Sequence, residues 1–359
     1  MTRLEKLAKL TAELKLDAML LTHHENQQYA TMSAHLEGMI LILPSGEGVC
    51  YTDSRYIEEA TAALVPQGYT VIEPVGSYPT VHTIRDFIIA HNIHTLGFED
   101  LAMTVAEHAA YQAALPCEMK PLGDALSALR IIREDVEIES IIRAQAIAED
   151  ALWALLPDIK VGAYEDELAA KLVYLMHLKG SQSTWSPILV SGAKTSMPHG
   201  QPSHKAICAG DFVTIDMGAR INGYVSDMTR TFAVGYATDE MKKIYNIVLE
   251  AQLKGIEAFD VNERGCDIDK AARDVIEAAG YGSYFGHGLG HSLGLNIHES
   301  PRASRTYEGV FPQRSIVTIE PGIYIPGKFG VRTEDMVWLS DTGKENLTHF
   351  PKDLMILPE

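Results

Sequence analysis

The amino-acid sequence predicts two domains, a smaller α/β layer domain followed by a larger α+β domain, and three observations carry that prediction. Through the first third, apolar extended runs alternate with helical stretches, the pattern of a sheet layered with helices. The segment "CEMKPLGDALSALR" (117–130) then offers Pro and Gly before a charge-rich start, "REDVEIES", and the domain boundary is placed there. Beyond residue 180 the character changes to strands and hairpins with two more helices. A chain of 359 residues supplies enough material for two cores.

The N-terminal helix is expected over about 3–15, with Leu4, Leu7, Leu10 and Leu14 on one side. Charges interrupt it throughout, so it predicts neither a signal peptide nor a membrane span. Extended segments follow at "DAMLLT", "GMILILP", "GVCYTD", "YTVIEP" and "TLGFED", with helices at "SRYIEEATAALV" and "TVHTIRDFIIAHN" between them. Asp53, in "YTDSRY", reads as the N-cap of the next helix in preference to a catalytic acid. "HHENQQY" (His23–Tyr29) reads as a strand-to-helix loop.

In the second domain the first helix carries Ile138, Ile141, Ile142, Leu152, Leu155 and Leu156, a buried stripe. A second amphipathic helix is read in "EDELAAKLVYLMHLKG", and two more at about 239–259 and 267–279. In "GDFVTIDMGARINGYVSDMTRTFAV" two strand-like runs flank Asn222-Gly223, the strongest short hairpin signal. With those two residues as the turn, Asp216 lies opposite Thr229 and Asp227 takes the diagonal position on the same face. Phe212, Val213, Ile215 and Met217 leave little room for a solvated side.

The composition is that of an ordinary globular protein, 46% hydrophobic and 22% charged. A net charge of −18 argues against a nucleic-acid partner, which needs a basic footprint. Cys50, Cys117, Cys208 and Cys266 are scattered singly, which is neither a zinc ribbon nor a disulfide framework. That usage suits a reducing compartment, so a cytoplasmic protein without a membrane partner is expected.

The chemistry is concentrated in a few stretches. "GHGLGHSLGLNIHE" sets His287, His291 and His298 on a Gly-rich segment, where glycines imply backbone brought close to something else. "SIVTIEPGIYI" presents Glu320 at the end of an apolar strand, and "GVRTEDMVWL" presents Glu334 inside another. Two carboxylates side by side in a poorly solvated place repel unless a cation joins them. Two Asp, two Glu and one imidazole form a set able to hold two divalent ions. Its thiolate-free donors suit Mn²⁺ or Co²⁺ as well as Zn²⁺. Such a pair, roughly 3.5–4 Å apart, lowers the pKa of a shared water.

The ordered set "TIDMG…YVSDMTRT", "GHGLGHSLGLNIHE", "TIEPGIY" and "GVRTED" resembles the pita-bread metallopeptidases, specifically the Xaa-Pro peptidases (aminopeptidase P and prolidase). The resemblance covers the whole chain. It implies a creatinase/prolidase-like N-terminal α/β domain over 1–124 and a pita-bread catalytic domain over 128–359. Position by position it implies Asp216, Asp227, His291, Glu320 and Glu334 as ligands of two metal ions, with Glu320 also the general acid/base. It implies His199, in "SMPHGQ", on the substrate side, and His298 as donor to the scissile carbonyl oxygen. It places His287 in the active site among the substrate-binding residues. Arg332 is implied beside the carboxylates and in contact with the substrate; strand alternation sends it to the same side as Glu334. Thr333 stands where isoleucine is more frequent, and Ser292 where glycine is.

The reaction so implied is hydrolysis of the imide bond before proline in peptides, by a homodimer. The aminopeptidase P-like version is the first expectation and a dipeptide-restricted prolidase the alternative. Arg302, in "HESPR", matches an arginine that binds the substrate carboxylate in some prolidases; its bland reading is a surface arginine. A non-catalytic peptide-binding pita-bread module is the remaining reading. Relatives of that kind have generally lost metal ligands, and all five stand here.

Overall fold

The computed structural model describes residues 1–33, 36–74, 81–183 and 185–359. The chain divides into two compact units, Met1–Arg130 and Ile131–Glu359.

The first unit runs α1 (Arg3–Glu13), β1 (Ala18–Leu21), α2 (His24–Thr31), β2 (Met39–Ile42), β3 (Gly48–Tyr51), α3 (Ile57–Leu64), β4 (Tyr69–Ile72), α4 (Val81–Ala90), β5 (Thr95–Phe98), α5 (Val105–Ala114) and β6 (Glu118–Pro121). Helix α6 (Ala125–Ile131) crosses the division. The strands form one mixed sheet, β4-β3-β2-β1-β5-β6, the α/β layer that the alternating pattern predicts. Strands β1, β2 and β3 are buried throughout, which is why they read as continuous apolar runs. Helix α1 starts at a capping box in which Thr2 and Glu5 satisfy each other's backbone N–H groups.

Three expectations are corrected in this unit. Leu14 lies past the last turn of α1 and is exposed, so the buried side rests on Leu4 and Leu7. Asp53 does not cap α3; its carboxylate takes the Arg55 backbone N–H (2.9 Å) and guanidinium, forming a turn ahead of the helix. "HHENQQY" is largely helical, as α2. The 117–130 segment, where the boundary is expected, also carries β6, an edge strand paired in parallel with β5, and the first unit ends at Arg130. The half-exposed residues of β6 leave no apolar alternation to read. Thr80, the first residue of the helix expected in "TVHTIRDFIIAHN", lies outside the described residues.

The second unit runs α7 (Asp135–Leu155), α8 (Glu165–Leu178), β7 (Ile188–Ser191), β8 (Phe212–Met217), β9 (Arg220–Ile221), β10 (Tyr224–Val225), β11 (Met228–Val234), α9 (Asp239–Ala258) and α10 (Gly265–Ala278). It continues with β12 (Gly290–Ser292), β13 (Glu299–Ala303), β14 (Ile316–Ile319), β15 (Gly322–Ile325), β16 (Phe329–Arg332), β17 (Asp335–Ser340), β18 (Gly343–Asn346) and β19 (Ile356–Leu357). Two helix pairs cover the strands. Helices α7 and α8 bury Leu152, Leu155 and Leu172 against Ile215, Met217 and Phe232, and α9 and α10 bury Ile244, Val248 and Ile268 against Val317, Ile319 and Val337. On α7, Ile141 is buried and its neighbour Ile142 is 40% exposed. Adjacent residues point about 100° apart on a helix, so only one of the two faces the core.

The predicted hairpin has its predicted register. Asn222 (φ 50°) and Gly223 (φ 80°) both take positive φ, the requirement of a two-residue turn whose twist matches the strands. Above it Tyr224 pairs with Ile221 in β9–β10, and Thr229 pairs with Asp216 in β8–β11.

Candidate metal centre and substrate pocket

Strand ends converge on one pocket of about 480 Å³ in the second unit. Its lining includes Asp216, Asp227, His291, Glu320 and Glu334 together with His199, His287, His298, Arg302 and Arg332. Every site residue expected from the sequence is therefore brought to one cavity. That volume lies within the usual range of small-ligand sites, roughly 300–1,000 Å³.

Each acid owes its place to the local chain. Asp216 sits in β8, Asp227 directly before β11, and Glu320 directly after β14. Glu334 is not inside a strand, as expected, but at the junction of β16 and β17, where the chain leaves its pairing with β15 and takes up pairing with β14. Its backbone N–H reaches the Thr229 carbonyl (3.1 Å). Buried Arg230 secures the junction, donating to the carbonyls of Thr229 (2.9 Å) and Glu334 (2.6 Å) and to the Asp335 carboxylate (2.8 Å). The glycines of the histidine segment answer a steric demand at Gly290. A Cβ there would lie 1.7 Å from the Thr318 carbonyl oxygen, so only glycine lets β12 lie on β14 and carry His291 inward.

Asp227, His291 and Glu334 each offer a donor atom within 4.8 Å of the others. His291 Nδ1 donates to the Ser292 carbonyl (3.1 Å), leaving Nε2 to face Glu320 Oε1 at 3.3 Å and Asp227 Oδ2 at 3.7 Å. Glu320 Oε1 also accepts from Thr318 Oγ1 (3.2 Å), whose oxygen in turn takes the His291 backbone N–H (3.1 Å). Glu334 Oε2 accepts from Thr229 Oγ1 (2.7 Å), while its buried Oε1 has no hydrogen-bond donor among the described residues.

Burial first, then the charges of Glu334, Asp216 and Glu320, push the Asp227 carboxyl well above the usual carboxylate range. Burial, followed by Glu320 and Asp216, does the same to Glu334. Asp216 is raised by burial, against the opposing pull of Arg332. Burial works against ionised Glu320 too, but its hydrogen bond with His291 and the surrounding positive charges hold it at about 2. Four carboxylates, Asp227 and Glu334 buried and Asp216 and Glu320 half-buried, thus share one cavity with too little positive charge to ionise together. Divalent cations offset that excess, and a donor set of carboxylate oxygens and one imidazole nitrogen, without thiolate, fits them.

The expected substrate-side residues differ in how free they are. His298 is exposed to the pocket, its ring edge-on to His291 with centroids 4.4 Å apart. Burial, then the neighbouring His291, lower its pKa below the ordinary imidazole value. His199 is on the pocket wall. His287 has both ring nitrogens engaged, Nδ1 with the Gly288 carbonyl (2.8 Å) and Nε2 with the Tyr324 hydroxyl (3.0 Å). Arg332 is buried and directs its donors to Asp216 (2.7 Å), Tyr324 (2.9 Å), Thr229 Oγ1 (3.1 Å) and the Pro198 carbonyl (3.3 Å). Those bonds tie it to the carboxylates and the wall of the pocket that it lines. Thr333 turns to the opposite side, toward Tyr245.

Sequence reasoning passed over Tyr324, Thr229 and Thr318. Burial pushes the Tyr324 phenol up to about 12, so it stays a hydroxyl that accepts from Arg332 and donates to His287. Thr229 and Thr318 each stand two residues from a candidate acid, on the same strand face, and that spacing was the available signal.

Residues 139–341 match the model of metallopeptidase family M24, and residues 3–132 match the creatinase/prolidase N-terminal domain. The chain is 37% identical to the Xaa-Pro dipeptidase of Pyrococcus furiosus, over 98% of this chain and 99% of that one. Among solved structures it resembles the Xaa-Pro dipeptidase from Bacillus anthracis, with a TM-score of 0.94 and 38% identity covering 99% of both chains. The X-Pro aminopeptidase from Thermotoga maritima superimposes with a TM-score of 0.90 at 30% identity, covering 97% of this chain and 99% of that chain.

Proposed function

The chain belongs to metallopeptidase family M24, behind a creatinase/prolidase N-terminal domain, and from that premise we propose that it is a metal-dependent exopeptidase cleaving the bond before proline in Xaa-Pro dipeptides. Arg302 carries the choice of dipeptides. It lines the pocket, pairs with His291 across the β12–β13 ladder, and has no hydrogen-bond or ion-pair partner among the described residues. A free guanidinium there suits the terminal carboxylate of a bound dipeptide. The likeness to the T. maritima X-Pro aminopeptidase favours a second reading, in which longer chains also enter.

In this reading Asp216, Asp227, His291, Glu320 and Glu334 hold two divalent ions, Mn²⁺ or Co²⁺, with Zn²⁺ also suited. When bound, the ions lower the pKa of a water so that it attacks at neutral pH. Glu320, whose carboxylate the site keeps ionised, accepts the water's proton and returns one to the proline nitrogen as the bond breaks. His298, neutral under its lowered pKa, donates an N–H to the carbonyl oxygen as negative charge grows there. His199 and His287 border the substrate, and Arg332 keeps Asp216 in place. A homodimer in the cytoplasm is part of the same proposal. No helix among the described residues is long and apolar enough to cross a membrane. The test is Xaa-Pro hydrolysis before chelation, after it, and after each metal is restored; activity indifferent to chelation that strips all metal would overturn the proposal.

A further inference from the structure

We infer that the buried ion pair between Arg133 and Glu299 is a positioning device for His298, closing the loop that carries this histidine. The inference rests on the reading of His298 as donor to the substrate carbonyl. His298 immediately precedes Glu299, at the end of a loop that joins β12 to β13 and contains Gly294. A histidine on so permissive a backbone needs an external hold if its imidazole is to keep one direction.

Arg133 supplies it. It lies just before α7, where its backbone N–H donates to the Arg314 carbonyl (3.0 Å) and its own carbonyl accepts from Arg314 Nε (2.7 Å). One guanidinium nitrogen, Nη2, reaches both ends of the loop, the Leu293 carbonyl (2.7 Å) and Glu299 Oε2 (2.5 Å). The other carboxylate oxygen, Oε1, takes the Asn296 backbone N–H from inside the loop (3.1 Å). The Arg133 and Glu299 side chains are 1% and 5% exposed. Gly294 makes room: a Cβ there would lie 2.7 Å from Arg133 Nη2 and 2.9 Å from Glu299 Oε2.

A buried ion pair is weak evidence for stability, because desolvation largely cancels the attraction and apolar replacements often do as well. The β12–β13 ladder already pairs Ser292 with Glu299; what the ion pair adds is a tie from Leu293, Glu299 and, through its carboxylate, Asn296 to the chain just ahead of α7, and hence the placement of the imidazole beside His291. Arg133 and Glu299 touch neither the substrate nor the reacting atoms, so their effect passes through His298.

The test compares kcat, KM and metal content for Arg133→Met, Arg133→Lys and Gly294→Ala, each made in the wild-type and His298→Ala backgrounds. In the wild-type background, Arg133→Met and Gly294→Ala are expected to lower kcat by about tenfold or more, the scale on which a small misplacement of a catalytic group acts. KM and bound metal should stay close to normal, and Arg133→Lys should recover part of the loss. In the His298→Ala background the same changes should cost less than about twofold, since groups acting through one another are not additive. Equal fold losses in both backgrounds would overturn the inference and leave the assignment of His298 standing. If His298→Ala is itself silent in an enzyme active on Xaa-Pro, the assignment falls and the inference with it. Should Arg133→Met fail to fold, Gly294→Ala, which keeps both charges, decides by the same comparison.

Discussion

Arg332 Nη2 stands 2.7 Å from Asp216 Oδ2, an ion pair whose side chains are 4% and 19% exposed at the edge of the carboxylate cluster. Among the described residues it is the arginine that pairs directly with the cluster, and it also binds the Tyr324 hydroxyl that holds His287. Arg332→Met should therefore leave Asp216 buried without its counter-charge. Breaking such a pair costs roughly 3–5 kcal/mol. The denaturant midpoint of the metal-free protein should fall accordingly, and an unchanged midpoint would show that the pair does not hold Asp216.

Glu320→Gln should damage the chemical step far more than substrate binding, since an amide cannot take the water's proton. General acid–base groups typically contribute about 10²–10⁴-fold in rate. Glu320 is also a proposed ligand, so metal occupancy is measured in the same samples. A Gln variant with full metal and nearly normal kcat contradicts the role.

His291 and His298 stand with their rings nearly perpendicular and have different tasks. His291→Ala should cost metal affinity, because its Nε2 faces Asp227 and Glu320. His298→Ala should lower kcat and leave metal content intact. The reverse pattern would exchange the two assignments.

Metal loading should release protons. In the metal-free protein Asp227 and Glu334 are raised well above the usual carboxylate range by burial and by the charges of neighbouring carboxylates, Asp216 and Glu320 among them, so they retain protons that the unfolded chain has lost. With fewer protons bound in the unfolded state, metal-free stability should fall as pH rises above about 4–5, the unfolded carboxylate range. Divalent metal, which binds the deprotonated groups, should remove that slope. Calorimetric titration in buffers of different ionisation enthalpy counts the protons; no release at neutral pH would contradict the shifts.

Much of this site was legible because turn chemistry and strand alternation act locally. The Asn222-Gly223 turn fixes the register that sets Asp216 opposite Thr229, and alternation then delivers Asp227 and Arg332 to the same side. The remainder depended on contacts between distant segments. Glu334 lies at a strand junction because Arg230, Asp335 and the 350–351 backbone bind one another there, which no local pattern announces. His287 turned out to be tied up by Tyr324, which reaches it from the β15–β16 hairpin that also carries Arg332. Helix α5 buries none of its side chains, and strand β6 is half exposed, so neither had an apolar periodicity to betray it.

Arg302→Ala should separate the two ends of the substrate question. A charged hydrogen bond to the proline carboxylate is worth about 1.5–3 kcal/mol, enough to raise the dipeptide KM by more than about tenfold. Cleavage of Xaa-Pro-Yaa, which has no carboxylate at that position, should change little. Equal effects on both substrates would place Arg302 elsewhere.

The most direct measurement is the rate on Xaa-Pro beside Xaa-Pro-Yaa, in protein stripped by a chelator and then reloaded with Mn²⁺, Co²⁺ or Zn²⁺ while bound metal is counted. The stripped protein should show no turnover, reloading should bring close to two ions per chain, and turnover of Xaa-Pro should lie well above that of Xaa-Pro-Yaa. Full activity in protein with no bound metal, or equal turnover of the two substrates, would contradict these expectations, the first removing the metal mechanism and the second the restriction to dipeptides.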